Sequence, residues 1–331
     1  MAITNLYTYY KYSGRALPAL IVMHGWDGDA TSFNETTDFG RWAGYGYFVI
    51  VPGMRGRNSA SGSRDASGRE IYDIYDALVE CRRLFPHAIS PDKAVLLGYS
   101  GGGGNVLAAA CKFPDAWSMV ISYFGMSDYG RDGTDGWYYN NGGSYTTAIA
   151  TSVGGVPGDV PNNYYARDAT AAIQNYSGGH LHLYHSSSDT TVPYVHSQRV
   201  AAAMLAAGLS NYTAHYSTDY THGYPADIPA LVTSEADWKG DGLSSAAWTV
   251  PASGTHTVIG YMVNKRYACW LRAYGSTTYG LDAAATVAYG AVANQYTVTP
   301  LTGAIDVTIT QADGKTGSAS YISTGTNVTV S

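Results

Sequence analysis

Charge is what this 331-residue chain has least of: Asp, Glu, Lys and Arg make up 13% of it, against about a quarter in an ordinary soluble domain. Its 19 Lys and Arg residues are scattered and its net charge is −6, so neither nucleic acid nor an anionic lipid surface is expected as a partner. Cysteine is scarce too. Cys81, Cys111 and Cys269 lack the paired spacing of a zinc site or a disulfide framework, and their odd number leaves at least one thiol unpaired within a chain. No apolar run reaches about 18 residues, which argues against a membrane-spanning helix, and residues 1–7 lack the basic and apolar blocks of a secretory leader. A leader already removed would leave the same sequence, so the compartment stays open. The low charge, 30 tyrosines and 39 glycines lean toward a secreted or surface-exposed protein.

What is present has the rhythm of two parts, in a chain long enough for one α/β domain and a smaller module. Over residues 17–216, short apolar runs bounded by Gly, Pro and Asp alternate with segments of helical period, the pattern of a parallel sheet covered by helices. Strands are predicted at 19–23, 47–51, 94–97, 119–124, 181–184 and 212–216. A helix is predicted after Glu70, with Ile71, Ile74, Tyr75, Leu78 and Val79 on one face. Another spans 197–207, with Val200, Met204 and Leu205 inward and Gly208 as its stop. Residues 128–176, rich in Gly and aromatics, break the pattern and read as an insertion over the sheet edge rather than core. A Gly, Asp and Ser linker at 239–245 divides a domain of 1–240 from a module of 241–331. There Ile305, Val307 and Ile309 alternate with polar residues, and 267–273 and 286–289 look similar, so an all-β sandwich of immunoglobulin type is expected.

The chemistry is concentrated at Gly98-Tyr99-Ser100-Gly101-Gly102, a Gly-x-Ser-x-Gly pattern between a buried strand and an Ala-rich helix. A serine on such a tight turn needs small neighbours, and the helix N-terminus beneath it favours developing negative charge. A plain glycine turn would show the same letters without that context. Acyl transfer also needs backbone N–H groups aimed at an oxyanion. Gly101 supplies one, and the loop His24-Gly25-Trp26-Asp27-Gly28 after the first core strand presents Trp26 for the other, unless it is only a glycine turn with a packed Trp.

The strand at 181–184 leads to Asp189, placed to orient an imidazole, although a surface-turn Asp would look alike. His222, on a loop after the strand at 212–216 and beside Gly223, is the candidate base; His215, within that strand, is its rival. His180, His182 and His185 raise the question of a metal, but no His-Glu-x-x-His or Cys-x-x-Cys accompanies them, and neither metal nor cofactor is expected.

With these residues in place, the chain resembles the catalytic domains of the prolyl oligopeptidase family and related feruloyl and acetyl esterases of the α/β-hydrolase superfamily, over about residues 17–225. The likeness includes Arg55-Gly56 after the third strand, Gly154-Gly155-Val156-Pro157, the run from Tyr164 to Asp168, and Asp189 to Pro193 with Ser197 and Gln198. It implies an α/β-hydrolase fold with Ser100 as nucleophile, Asp189 as acid and His222 as base. Many peptidases of that family resemble one another in an N-terminal β-propeller and a tyrosine hydroxyl at the oxyanion. Here about 16 residues precede the first core strand, and the loop reads His24-Gly25-Trp26.

An ester hydrolase for small or polymer-linked esters is therefore expected, with feruloyl, acetyl or aromatic polyester substrates in view. Trp26, Tyr99, Trp137 and Tyr138 are the substrate-binding candidates, although the insertion's aromatics serve equally as packing. A serine peptidase is the alternative, and a binding or surface protein on a hydrolase scaffold the reading from another class. For the module, polysaccharide binding through Tyr274, Tyr279 and Tyr289 stands beside a spacer or oligomerisation role.

Overall fold

Runs such as Leu-Pro-Ala-Leu-Ile-Val-Met leave no polar side for water, and such runs form strands buried on both faces. In the computed structural model, which describes residues 6–9, 16–33, 38–57, 61–130, 136–140, 143–223 and 250–331, seven strands build one sheet. They are β1 (Leu6–Tyr9), β2 (Leu17–Met23), β3 (Phe48–Pro52), β4 (Ile89–Tyr99), β5 (Met119–Tyr123), β6 (His180–Ser186) and β7 (Tyr212–Ser217). Their order is β1-β3-β2-β4-β5-β6-β7; β1 runs antiparallel to β3 and every other pair is parallel. The helices are α1 (Gly40–Gly44), α2 (Ile71–Leu84), α3 (Gly101–Lys112), α4 (Trp137–Asn140), α5 (Gly143–Val153), α6 (Pro161–Tyr165) and α7 (Val195–Ala206).

Alternate residues of β2 feed two cores, as the pleat requires. Ala19, Ile21 and Met23 pack with Ile74 and Leu78 of α2, Leu107 of α3 and Met204 of α7, while Leu20 and Val22 pack with Phe39 and with Trp42 of α1. Two inward assignments are corrected. Val79 is 46% exposed and Leu205 69%, because each lies a further 100° around its helix from Leu78 or Met204, beyond a narrow apolar stripe. The insertion is also less peripheral than its composition implied. Trp137, Ile149, Val153 and Tyr164 form a small core with Met126, Tyr129 and Val192, and from Ala169 onward Ala172, Ile173 and Tyr176 enter the main core.

The C-terminal part is all antiparallel: β8 (Gly254–Ile259), β9 (Tyr261–Val263), β10 (Tyr267–Ala273), β11 (Ala284–Tyr289), β12 (Gln295–Pro300), β13 (Ile305–Gln311), β14 (Thr316–Ile322) and β15 (Thr326–Thr329), in the order β14-β13-β10-β9-β8-β11-β12-β15. At Gly260, with φ +72°, the chain bends between β8 and β9 so tightly that a Cβ would lie 2.4 Å from the Gly280 carbonyl oxygen. The bend splits the order into two four-stranded halves around one core of residues such as Val258, Leu271, Val287 and Ile309. The linker at 239–245 and the boundary at 241 lie outside the described residues.

This module is docked rather than hung on the α/β part. Ile259, Tyr261 and Ala284 belong to the same core as α2 and α3, and the Tyr261 ring stacks on Trp270 at 4.6 Å while meeting Phe113 edge-on at 5.9 Å. The Asn175 amide donates to the Thr257 carbonyl at 2.7 Å and accepts the Thr257 N–H at 3.1 Å. Lys112, fully buried, donates to the carbonyls of Ile259 and Ala166. α3 is therefore buried on every side, which its Gly and Ala content allows. Denaturant unfolding should show one cooperative transition, with Tyr261→Ala lowering stability by about 3–5 kcal/mol and the exposed Tyr274→Ala by less than about 0.5. Two separated transitions would contradict a shared core.

Candidate active site

Ser100 stands between β4 and α3 with φ 54° and ψ −117°, a region side-chain-bearing residues rarely occupy. The flanking glycines are forced by close backbone approach. A Cβ on Gly98 would lie 2.1 Å from the Gly102 carbonyl oxygen, and one on Gly102 would lie 2.4 Å from that of Met23. The turn is held by the Ser100 N–H donating to the Tyr123 carbonyl at 2.9 Å and by the Gly104 N–H donating to Ser100 at 3.0 Å.

The three polar residues separated along the chain meet here. Ser100 Oγ is 3.0 Å from His222 Nε2, and His222 Nδ1 is 2.8 Å from Asp189 Oδ2. Burial acts to raise the Asp189 carboxyl, but hydrogen bonds from His185, His222 and the Val192 N–H outweigh it and bring it down to about 2. Asp189 is thus a carboxylate that only accepts, which puts the imidazole proton on Nδ1 and leaves the Nε2 lone pair facing the serine hydroxyl. Oδ1 also accepts the Thr191 and Val192 N–H groups at 2.8 and 2.9 Å, and the Thr190 N–H donates to the Thr221 carbonyl at 2.9 Å, tying the acid loop to the histidine loop.

Beside Ser100 the backbones of Trp26 and Gly101 converge: a Cβ on Gly101 would lie 2.5 Å from the Trp26 nitrogen. Gly101 is the first residue of α3, so its N–H has no intrahelical acceptor. Among the substrate-binding candidates, Trp26 and Tyr99 are half-buried next to the serine. Tyr99 stacks on Tyr123 at 4.9 Å, and burial pushes its phenol up to about 12.

Trp137 is corrected. At 1% exposure it cannot touch a substrate; its ring packs edge-on against Trp26 at 5.1 Å, and its Nε1 donates to the Thr191 carbonyl at 2.9 Å. It is a tie between the loop of Trp26 and the loop of Asp189. The half-buried Tyr138 has its ring contacts with Tyr139 and Tyr164, within the insertion.

His215 lies flat on Tyr184, with ring centroids 4.3 Å apart, and it is His222 that reaches Ser100. His180 bonds Thr213 at 2.9 Å, and His182 is lowered to about 3, chiefly by burial. Among the described residues no three His, Cys, Asp or Glu side chains converge as a metal site.

Two neighbours of the site escaped the sequence reading. His185 donates from Nε2 to the Val192 carbonyl at 2.8 Å, accepts from the Ser197 hydroxyl at 2.7 Å, and braces Asp189 Oδ2 at 3.5 Å. Its position four residues before Asp189 was the available signal. Phe124, at φ 39°, sets its ring 4.7 Å from His222, and no local pattern announces it.

Residues 31–244 match the prolyl oligopeptidase family. The chain belongs to that family, whose members are serine hydrolases on an α/β-hydrolase-like parallel sheet. None of the curated proteins matches it. Among solved structures, Pyrococcus horikoshii acylaminoacyl peptidase is similar, with a TM-score of 0.54 at 19% identity, over 69% of this chain and 37% of that one. Porphyromonas gingivalis dipeptidyl peptidase 4 gives 0.52 at 17%, over 65% and 30%. The acetyl ester-xyloside bifunctional hydrolase of Caldicellulosiruptor lactoaceticus gives 0.50 at 16%, over 70% and 83%. These identities establish a shared fold, and the chain spans about a third of the length of the two peptidases.

For this prolyl oligopeptidase family member, Trp137→Phe keeps an aromatic ring, though a smaller one, and removes the bond to Thr191; kcat should fall about tenfold with KM little changed. An unchanged kcat would show the tie to be idle. Because the Asp189 carboxyl lies near 2 when folded and 3.8 when free, its contribution is complete above the free value and lost as pH falls through the folded one. Between pH 4 and 2 the protein should lose about 2 kcal/mol of stability that Asp189→Asn does not lose, measured by denaturant unfolding at each pH.

Proposed function

We propose that the protein is a serine carboxylic ester hydrolase working through an acyl-enzyme on Ser100. The observation that carries this is the unbroken line from Ser100 Oγ through the His222 ring to the Asp189 carboxylate, at 3.0 and 2.8 Å. In this reading Nε2 takes the serine proton as Oγ attacks the ester carbonyl, and Asp189 stabilises the imidazolium. The Trp26 and Gly101 N–H groups receive the oxyanion; His222 then returns the proton to the leaving alcohol and activates the water that releases the acid. A scaffold kept only for binding would have no use for such an alignment.

The choice of ester over amide rests on Trp26, which stands in the loop where peptidases resembling this chain carry a tyrosine hydroxyl. The aromatic surfaces of Trp26, Tyr99 and Phe124 around Ser100 suit an aromatic acyl group, so feruloyl esters and aromatic polyesters stand beside acetyl esters as substrates. The peptidase reading has equal standing in the family itself and in the acylaminoacyl peptidase fold.

The module is taken as an immunoglobulin-like sandwich of two four-stranded halves. A polysaccharide surface on it would use Tyr274, 56% exposed, and Tyr279, covered by Arg272 at 4.6 Å; Tyr289, at 6% exposure, is withdrawn from that role because it packs on His256.

The deciding assay pairs p-nitrophenyl esters of graded acyl length and methyl ferulate with amino-acid p-nitroanilides. Ester turnover should dominate and fall by about 10⁴-fold or more in Ser100→Ala. Dominant anilide turnover would move the assignment to peptidase, and turnover that survives Ser100→Ala would remove the triad from it.

A further inference from the structure

The turn at residues 65–70, just before α2, connects more of the molecule than its length suggests. Ala66 and Ser67 are consecutive side-chain-bearing residues at φ 49° and 65°, a conformation retained only where the surroundings impose it. Ser67 Oγ donates to Asn105 Oδ1 of α3 at 2.8 Å and lies 2.9 Å from the hydroxyl of Tyr129, whose ring packs against Trp26.

The C-terminal module clamps this turn from outside. A Cβ on Gly68 would lie 2.8 Å from Leu281 Cδ2 and 3.0 Å from Arg167 Nη2, and the Tyr261 hydroxyl donates to the Gly68 carbonyl at 3.4 Å. Arg167, buried to 1% exposure, donates from Nη1 to the Leu281 carbonyl at 2.8 Å and from Nε to the Asp65 carbonyl at 2.7 Å.

From the turn a line of buried polar groups runs to the oxyanion-side loop. The Asp65 carboxylate accepts the Glu70 N–H at 3.0 Å, and the Glu70 carboxylate accepts the Ser67 N–H at 2.9 Å and Arg57 Nη1 at 3.1 Å. Arg57 Nη2 then donates to the Trp26 carbonyl at 3.4 Å, the longest link of the line. Asp65, Glu70 and Arg57 are all buried, so the line holds parts of the protein to one another and presents nothing to a ligand.

We infer that the β module is part of the catalytic apparatus: by clamping the turn at 65–70 it fixes Glu70 and Arg57, and through them the Trp26 loop that serves the oxyanion. The inference rests on the oxyanion assignment in the ester hydrolase reading. Arg57, Glu70 and Arg167 are positioning residues, and Leu281 and Tyr261 are the module's contributions to the clamp. The Arg57 anchor on the Trp26 carbonyl matters because an N–H donor acts at full strength only when its direction is set before the charge develops.

The test uses the full chain with Leu281→Ala and Arg57→Lys, and Leu301→Ala, on the module's exposed surface, as the control. The readouts are kcat and KM on a p-nitrophenyl ester, and inhibition by an aryl trifluoromethyl ketone, whose hemiketal oxyanion with Ser100 mimics the tetrahedral intermediate. Leu281→Ala and Arg57→Lys should each lower kcat about 10- to 100-fold with KM within about twofold, and weaken the ketone in proportion, while Leu301→Ala matches wild type. Arg57→Lys retains the charge beside Glu70, so it keeps the test open if Leu281→Ala fails to fold. Wild-type kcat and ketone affinity in a folded Leu281→Ala, or in Arg57→Lys, with turnover abolished in Ser100→Ala, would overturn the inference and leave the hydrolase reading standing. Turnover surviving Ser100→Ala would overturn both.

Discussion

Where β4 gives way to α3, the chain must turn within one residue, and that residue carries a side chain at φ 54° and ψ −117°. A conformation of this kind costs on the order of 1–3 kcal/mol and persists only if its surroundings over-determine it. Here the surroundings are the backbones of Met23, Tyr123 and Gly102, pressed so closely that only glycine fits at 98 and 102. Much else follows from that crowding. The serine hydroxyl is held clear of the sheet, the first N–H groups of α3 are left without helical acceptors beside it, and α3 must be small-sided to lie so near the strands. The shortage of charge in the sequence takes on meaning as well, since α3 is covered by the sheet on one side and by the C-terminal module on another.

The electrostatics of the site are equally asymmetric. Asp189 gathers two backbone N–H groups and two imidazoles, so its charge is fixed before any substrate arrives. His222, by contrast, meets the carboxylate, the serine and the edge of Phe124, a setting in which one nitrogen has a committed proton and the other a free lone pair. His185, one of the three histidines that raised the question of a metal in the sequence, has a different role. Its ring is spent on Val192 and Ser197, and it acts as a strut.

The sheet and the serine, acid and histidine order were legible because they are local. A buried strand reads as an unbroken apolar run, a tight turn demands its glycines, and each polar residue of the triad follows a strand end. What resisted reading depends on distant contacts. Trp137 looked like a wall of a cleft because an indole in a Gly-rich loop carries no sign of whether another segment covers it; Thr191 and Trp26 do so, from far along the chain. Val79 and Leu205 passed as core because periodicity gives a stripe's direction more securely than its width. Tyr289 passed as exposed because a strand's alternation does not say which face is inside.

The module shows the same limit on a larger scale. Its strands were readable, but nothing local announces that Tyr261 enters the core of another domain or that Leu281 closes on Gly68. Packed in this way, the module is better regarded as one wall of the catalytic body than as an appendage. The role of Ser100 as nucleophile is measured most directly by covalent trapping. The protein is incubated with a p-nitrophenyl alkylphosphonate and the adduct located by peptide mass mapping. A single adduct on Ser100, absent from His222→Ala, is the result this account requires; no adduct, or one on another serine, would contradict it.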